Sequence, residues 1–136
     1  MNDIEQTNEL MMDFGKLAKA AGACRELVPV AVQDADTGEV ILVAYTNETA
    51  LKKTVKTRRA IFWSTSRNEL WEKGKSSGNT FRIVEILVNC EQNSLLYRVK
   101  PEGGSICHTN NNAGIPRNCF YRRLDLDTLE LQNIDP

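Results

Sequence analysis

The sequence predicts an α+β fold dominated by strands, with a mixed or antiparallel sheet and two helices. Three observations carry that expectation. Apolar or alternating runs of strand length recur between residues 28 and 124, bounded by Gly, Pro, Asp, Asn or Ser. Only two stretches, 9–21 and 47–57, place apolar residues at helical spacing. The resulting order is a helix followed by β-β-α-β-β-β-β, without the strict alternation of a parallel α/β sheet.

Residues 1–7 read as a frayed tail. Asn8 is placed to cap a helix over 9–21, where Leu10, Phe14, Leu17 and Ala21 share a face and Gly22 marks the stop. Cys24 falls in the connector, and a lone cysteine there is expected to be inert. A strand over 28–33 and a nearly all-apolar, buried strand over 40–45 form a hairpin, with Gly38 at positive φ in the turn 34–38. Thr46 or Asn47 caps the second helix, which runs to about Thr57 with Leu51 and Val55 on its inner face. A third strand covers 60–64, and 65–79 reads as a polar loop.

The longest strand is expected over 80–90. Arg82, Val84, Ile86, Val88 and Cys90 share one face, and Phe81, Ile83, Glu85, Leu87 and Asn89 the other. If the strand runs on, the oxygen-bearing Asn89, Glu91 and Asn93 line up at i, i+2 and i+4. Residues 94–100 pair back as a hairpin strand, and Pro101-Glu102-Gly103-Gly104 turns. A last strand covers 119–124, followed by a polar tail with one more strand through Leu129 and Leu131.

The 136 residues are read as a single domain, 1–136, large enough for one core. A net charge of −1 draws the chain to neither nucleic acid nor membrane. No apolar run reaches the roughly 18 residues of a membrane span. The acidic start, Met1-Asn2-Asp3-Ile4-Glu5, lacks an apolar signal core, so a cytoplasmic protein with reduced cysteines is expected.

The stretch 89–121 holds Cys90, Cys107 and Cys119 and the sole histidine, His108. Thiolates and an imidazole gathered in a short chain suggest a metal site. The cysteines are separated by 17 and 12 residues, without a Cys-x-x-Cys knuckle, so a closed structural zinc site is not indicated. Three thiolates with an open fourth position would make a catalytic zinc; the bland alternative is three buried, unligated cysteines. Adjacent residues of an extended loop point apart, which favours His108 as a proton carrier over a fourth ligand. A surface or core-satisfied histidine is its plain alternative. In the loop 65–79, two serine clusters, two glycines and Arg67, Lys73 and Lys75 fit either a phosphate-wrapping loop or a solvated surface loop.

The chain resembles the phosphoribosyl-AMP cyclohydrolase family across roughly residues 27–123. The resemblance rests on Val32-Gln33-Asp34, Thr37-Gly38-Glu39-Val40, Phe62-Trp63-Ser64, Ser66-Arg67, Leu70-Trp71, Lys73-Gly74, Ser77-Gly78-Asn79, Cys107-His108-Thr109 and Cys119-Phe120-Tyr121-Arg122. It implies an intertwined homodimer of mostly β protomers, with one zinc held by Cys90, Cys107 and Cys119 drawn from both subunits. It implies hydrolysis of the N1–C6 bond of N1-(5-phosphoribosyl)-AMP in histidine biosynthesis, with His108 moving protons. Trp63, Ser64, Ser66, Arg67, Lys73, Lys75 and Ser77 are then expected around this phosphoribosyl nucleotide.

Three departures from the family pattern fall in or beside the site. Asp-Cys-Asp-x-Asp, whose aspartates bind magnesium, becomes Asn89-Cys90-Glu91-Gln92-Asn93. Lys-Gly-Glu becomes Lys73-Gly74-Lys75, and an insertion, 110–116, enters between the last two cysteines. Asn89, Glu91 and Asn93 therefore form a degenerate magnesium site expected to bind weakly. Two further readings stay open: a related zinc hydrolase acting on another purine-like or amidine substrate, and a non-catalytic phosphonucleotide-binding dimer.

Overall fold

The computed structural model describes residues 3–12, 14–15, 26–75, 78–103 and 109–136. The elements are α1 (Asp3–Gln6), β1 (Val28–Asp34), β2 (Val40–Thr46), α2 (Glu48–Thr57), β3 (Ile61–Ser64), β4 (Glu69–Glu72), β5 (Phe81–Val88), β6 (Leu95–Pro101), β7 (Arg122–Leu124) and β8 (Leu131–Asn133). Six strands form a mixed sheet in the order β4-β3-β2-β1-β6-β5, and β7 and β8 form a separate antiparallel ribbon. The fold is α+β with strands dominant, as the sequence predicts. Among the described residues no helix is long and apolar enough to cross a membrane.

The sheet curls on itself. Ala60 N donates to Phe81 O at 2.9 Å, Ile83 N donates to Arg58 O at 2.9 Å, and Arg59 bridges Arg82. The outer edge of β5 thus meets the residues just ahead of β3, and a barrel forms with β4 attached outside. β1 lies at its centre, antiparallel to β2 and parallel to β6. Val30, Val32, Leu42, Ala44, Phe62, Phe81, Tyr97 and Val99 fill the interior. Phe62 lies between Trp71 and Tyr97, with ring centroids 5.5 and 5.9 Å away.

Local chemistry explains the boundaries. Asp34 Oδ1 accepts from the amides of Asp36 and Thr37, and Gly38 closes the β1–β2 turn at φ 78°. Asn47, one of the two expected caps, accepts from Ala50 N at 2.9 Å. At the other end of α2, Arg58 takes φ 60° and donates its amide to Thr54 O. Thr54 is fully buried; its Oγ1 shares its one proton between Ala50 O and Ile61 O and accepts from Ile61 N, which laces the helix to β3.

The structure corrects several expected elements. Residues 8–12 are not helical, because Asn8 O is taken by Leu131 N and the chain there runs beside β8. Its first helix is the single turn α1, within the expected tail, and most of the expected helix, with Cys24, lies outside the described residues. Val55 is 45% exposed; Ala50 and Thr54 face inward instead, with Leu51 packed beside the core. Part of the expected loop 65–79 is β4, drawn into pairing with β3 by Leu70 and Trp71.

β5 carries a bulge between Ile83 and Glu85, which shifts the face pattern by one residue. Ile86 therefore packs beside the core with Ile83, and Leu87 and Val88 are about half exposed. The strand stops at Val88, so Asn89, Glu91 and Asn93 share a turn rather than a strand face. The last expected strand begins at Arg122 rather than 119, and Leu129 lies at φ 62° in the turn before β8.

The hydroxyl of Tyr97 is buried and has no hydrogen-bond partner among the described residues. Burial pushes its pKa up, opposed by the nearby Thr46 and Thr54 hydroxyls. Tyr97→Phe should melt at or slightly above the wild-type temperature at neutral pH, because it deletes an unsatisfied group. The unfolded phenol ionises near its ordinary value of about 10 while the folded one keeps its proton. Stability should thus fall as pH rises past about 10, more steeply in wild type than in Tyr97→Phe. Parallel alkaline denaturation curves for the two proteins would contradict this account.

Candidate functional site

The turn between β3 and β4 is built from the serine cluster. Ser64 Oγ lies 3.3 Å from Ser66 Oγ and accepts from Arg67 N at 3.2 Å, while Asn68 N donates to Ser64 O. Asn68 sits at φ 56° and accepts from Trp63 Nε1 at 3.1 Å, which fixes the indole. Arg67 is exposed beside Glu69, with Nε 3.5 Å from Oε1. Trp63, Ser64, Ser66 and Arg67 thus come together as one hairpin turn.

Residues 73–75 and 78–80 are laced inward. Lys73 Nζ donates to Asn79 O at 3.2 Å and lies 4.9 Å from the Phe81 ring centre, and its amide donates to Ala60 O. Lys73 thus helps to hold the loop, while Lys75 is exposed. Gly78 N donates to Gly74 O at 2.8 Å. Ser77 lies outside the described residues. The end of β6 is tied to the same loop: Glu102 N donates to Thr80 O, and Glu102 Oε1 accepts from Thr80 Oγ1 and pairs with Arg59 at 3.1 Å. Cys107 and His108, just beyond, lie outside the described residues.

Cys119 is exposed and docks on β2, its amide donating to Ile41 O at 3.3 Å. Asn118 Nδ2 donates to Glu39 Oε1 and Val40 O, and Asn118 Oδ1 accepts from Phe120 N. The register Tyr45↔Trp63 carries Ile41 to the level of the 65–68 turn, so Cys119 and the serine turn share one end of the barrel.

Cys90 lies elsewhere. It is exposed in the turn 89–94, beyond β5. Asn89 Oδ1 accepts from Asn93 N and Ser94 N, Asn89 Nδ2 donates to Asn93 Oδ1 at 2.6 Å, and Asn93 Nδ2 donates to Glu91 Oε2 at 3.2 Å. The three side chains do meet, but in a network that closes the turn. Strand register puts Cys90 and Cys119 at opposite ends of the curled sheet, at least roughly 13 Å apart along the strands. Among the described residues no three His, Cys, Asp or Glu side chains come together as a metal site.

Sequence reasoning missed Asn68 and Asn118, the two amides that hold Trp63 and the Cys119 segment. Asn68 had a usable signal, an asparagine in a polar turn, where positive φ is best tolerated. The tie of Asn118 to β2 had none, because the groups that its Nδ2 reaches lie 78 and 79 residues away.

The sequence model of phosphoribosyl-AMP cyclohydrolase matches residues 42–121. A phosphoribosyl-AMP cyclohydrolase of Archaeoglobus fulgidus is 50% identical over 101 residues, covering 74% of this chain and 88% of the relative. Another, of Cenarchaeum symbiosum, is 48% identical over 116 residues, covering 85% and 98%. The histidine biosynthesis bifunctional protein HisIE of Thermus thermophilus is 50% identical over 98 residues, 72% of this chain but 43% of the relative. The chain thus spans less than half of that bifunctional relative. Residues 63–119, with every expected site residue, fall inside the matched stretch.

The packing of loop 73–80 can be tested at glycines. Gly74 and Gly38 both have positive φ, but only at Gly74 would a Cβ overlap backbone, that of Asn79 and Thr80. Gly38→Ala should cost about 1 kcal/mol, and Gly74→Ala clearly more. Equal losses in chemical denaturation would show that the loop gives way freely.

Proposed function

The chain belongs to the phosphoribosyl-AMP cyclohydrolase family, and on that premise we propose that it hydrolyses the N1–C6 bond of N1-(5-phosphoribosyl)-AMP at a zinc centre shared by two copies. It is a hydrolase acting on a cyclic amidine bond, of a family that serves histidine biosynthesis. The observation that carries the reading is the family match over 42–121, which contains the three cysteines, His108 and the serine–arginine turn.

The donor types suit zinc, and we place the centre between copies. Thiolates are soft ligands suited to this metal, and Cys90 and Cys119 are both exposed. Their separation within one chain supports a centre in which Cys90 of one copy meets Cys119 of another; to these we add Cys107, which lies outside the described residues. An apolar groove of Pro29, Ala31, Val43, Leu87, Val88 and Leu96 runs beside the Cys90 turn. We assign it to a second copy, whose burial of the half-exposed Val43, Leu87 and Val88 would hold that turn in place. Bound zinc supplies the water activation that hydrolysis near neutral pH requires. His108 carries protons between water and ring nitrogen. Arg67 and Lys75 offer exposed cations to the phosphates, Trp63 is held rigid for the nucleotide, and Lys73 serves the loop.

Complementation tests the shared centre. Cys90→Ala and Cys119→Ala should each lose zinc and turnover. Mixed and reassembled, they should recover about a quarter of wild-type activity, because a mixed dimer keeps one complete site. No recovery would mean that one copy supplies all the ligands. His108→Ala should keep its zinc and lose roughly 10²–10⁴ in turnover, read by ultraviolet absorbance during ring opening.

The turn 89–94 also bears on magnesium. Its side chains carry one formal charge, and Asn89 Oδ1 is already occupied by two backbone amides. Hard cations depend on carboxylate charge, so magnesium should bind weakly, with Lys75 countering phosphate directly. Turnover should be nearly unchanged by a chelator that spares zinc, and Lys75→Glu should raise KM. A millimolar magnesium requirement with a harmless Lys75→Glu would overturn this. The same turn favours one alternative, a related zinc hydrolase acting on another purine-like substrate. Zinc-loaded protein inert toward phosphoribosyl-AMP would select it.

A further inference from the structure

Cys119 is held from outside the stretch that the family model matches. Residues 134–136 run beside the 111–121 segment and bond to it on both sides of the cysteine. On one side Arg117, 4% exposed, donates from Nε to Asp135 O at 2.7 Å. On the other, Ile134 N donates to Tyr121 O at 2.9 Å. The Arg117 guanidinium lies 4.7 Å from the centre of the Tyr121 ring, closing the loop of contacts across Asn118-Cys119-Phe120.

The insertion joins the same clasp. Asn111 Oδ1 accepts from Ala113 N and Ile115 N, which shapes the 110–116 turn, while Asn111 Nδ2 donates to Asp135 Oδ1 at 3.0 Å. Asn112 N donates to Pro136 O at 3.2 Å. Asp135 thus meets the Cys119 segment through its backbone carbonyl and the insertion through its carboxylate. Residues 3–8 brace the opposite flank: Tyr121 OH donates to Glu5 O at 2.8 Å, and Arg122 Nη1 donates to Ile4 O and Thr7 O. The cysteine's own amide donates to Ile41 O at 3.3 Å, which docks the segment on β2.

We propose that Asp135 is a positioning residue for Cys119: its carboxylate, held by Asn111, keeps its own backbone carbonyl on Arg117 and so sets where the thiol points. A metal ligand must be placed to a fraction of an ångström, and partners behind the ligands commonly govern that placement. The family match ends at residue 121, so Asp135 lies beyond it. The insertion, read from sequence as an interruption, gains a purpose as the turn that receives the Asp135 carboxylate. The inference rests on Cys119 being a zinc ligand.

The test compares wild type, Asp135→Ala and Asp135→Asn, which keeps the acceptor oxygen. Cobalt is titrated into metal-free protein and the thiolate–cobalt absorption gives its affinity. Amide exchange is followed at 117–121 and in β1 and β2 without metal. Asp135→Ala should bind cobalt about tenfold more weakly, and Asp135→Asn nearly as well as wild type. Exchange at 117–121 should speed up in Asp135→Ala while β1 and β2 stay protected. Unchanged affinity in Asp135→Ala, equal loss in Asp135→Asn, or exchange rising equally throughout would overturn the proposal. Wild-type protein that binds no cobalt through thiolates would defeat the zinc reading instead, and the exchange result would still decide whether Asp135 holds the segment.

Discussion

The backbone bonds between residues 58–60 and 81–83 close the sheet, and the site end of the molecule depends on them. Without them β5 would present a row of unpaired amides and carbonyls, an edge prone to pairing with other chains. With them, β5 is satisfied on both sides at its start, and β4 carries the exposed edge. Arg58 makes the closure possible. Its left-handed backbone ends α2 and turns the chain directly into register with β5, at a cost of order 1 kcal/mol for a residue with a side chain. The same seam sets Arg59 against Glu102, and Glu102 against Thr80, so loop 73–80 and the end of β6 are fixed together.

Asparagine does much of the remaining ordering. Asn47 caps a helix, Asn68 holds Trp63, Asn89 closes the turn after β5, Asn111 shapes the insertion and Asn118 ties Cys119 to β2. A side-chain amide can stand in for a backbone group in a turn and also donate outward, without the desolvation cost of a charge. Segments that look merely polar in sequence are thereby ordered. The trade is visible at 89–94, where amides that shape the turn stand where carboxylates would attract a hard cation.

The strands were legible because their signal is local. Val40–Thr46 is apolar almost throughout, and the turn at Gly38 carries its own chemistry. Asn47 was legible for the same reason. What escaped was set by distant partners. The bulge in β5 follows from pairing with β6 and shifts the face pattern, so strict alternation misplaced Ile86; the row of Asn89, Glu91 and Asn93 is lost because the strand ends at Val88. β4 looked like loop because its pattern is too short to stand without β3. Asn8 carries a capping signal, yet its carbonyl is claimed by Leu131. At the site, the serine–arginine turn was legible as a unit, while the inward commitment of Lys73 was not, because it depends on where Asn79 and Phe81 lie.

The opposite placement of Cys90 and Cys119 has a thermodynamic consequence. If the centre needs thiolates from two copies, metal binding and association are one linked equilibrium. The apolar groove beside the Cys90 turn then need not hold the dimer alone, since each zinc would contribute its own binding energy to the contact. Conversely, burial of Val43, Leu87 and Val88 would bring the thiols into range before any metal arrives, raising their effective concentration for it. Such an arrangement ties catalytic competence to assembly: a lone copy would keep its fold and its polar turn but hold only part of a zinc site. The clasp around Cys119 fits that division of labour. In such a dimer Cys90 would sit on a short turn against the partner, while Cys119, fixed in its own copy, would give the incoming thiol a set target.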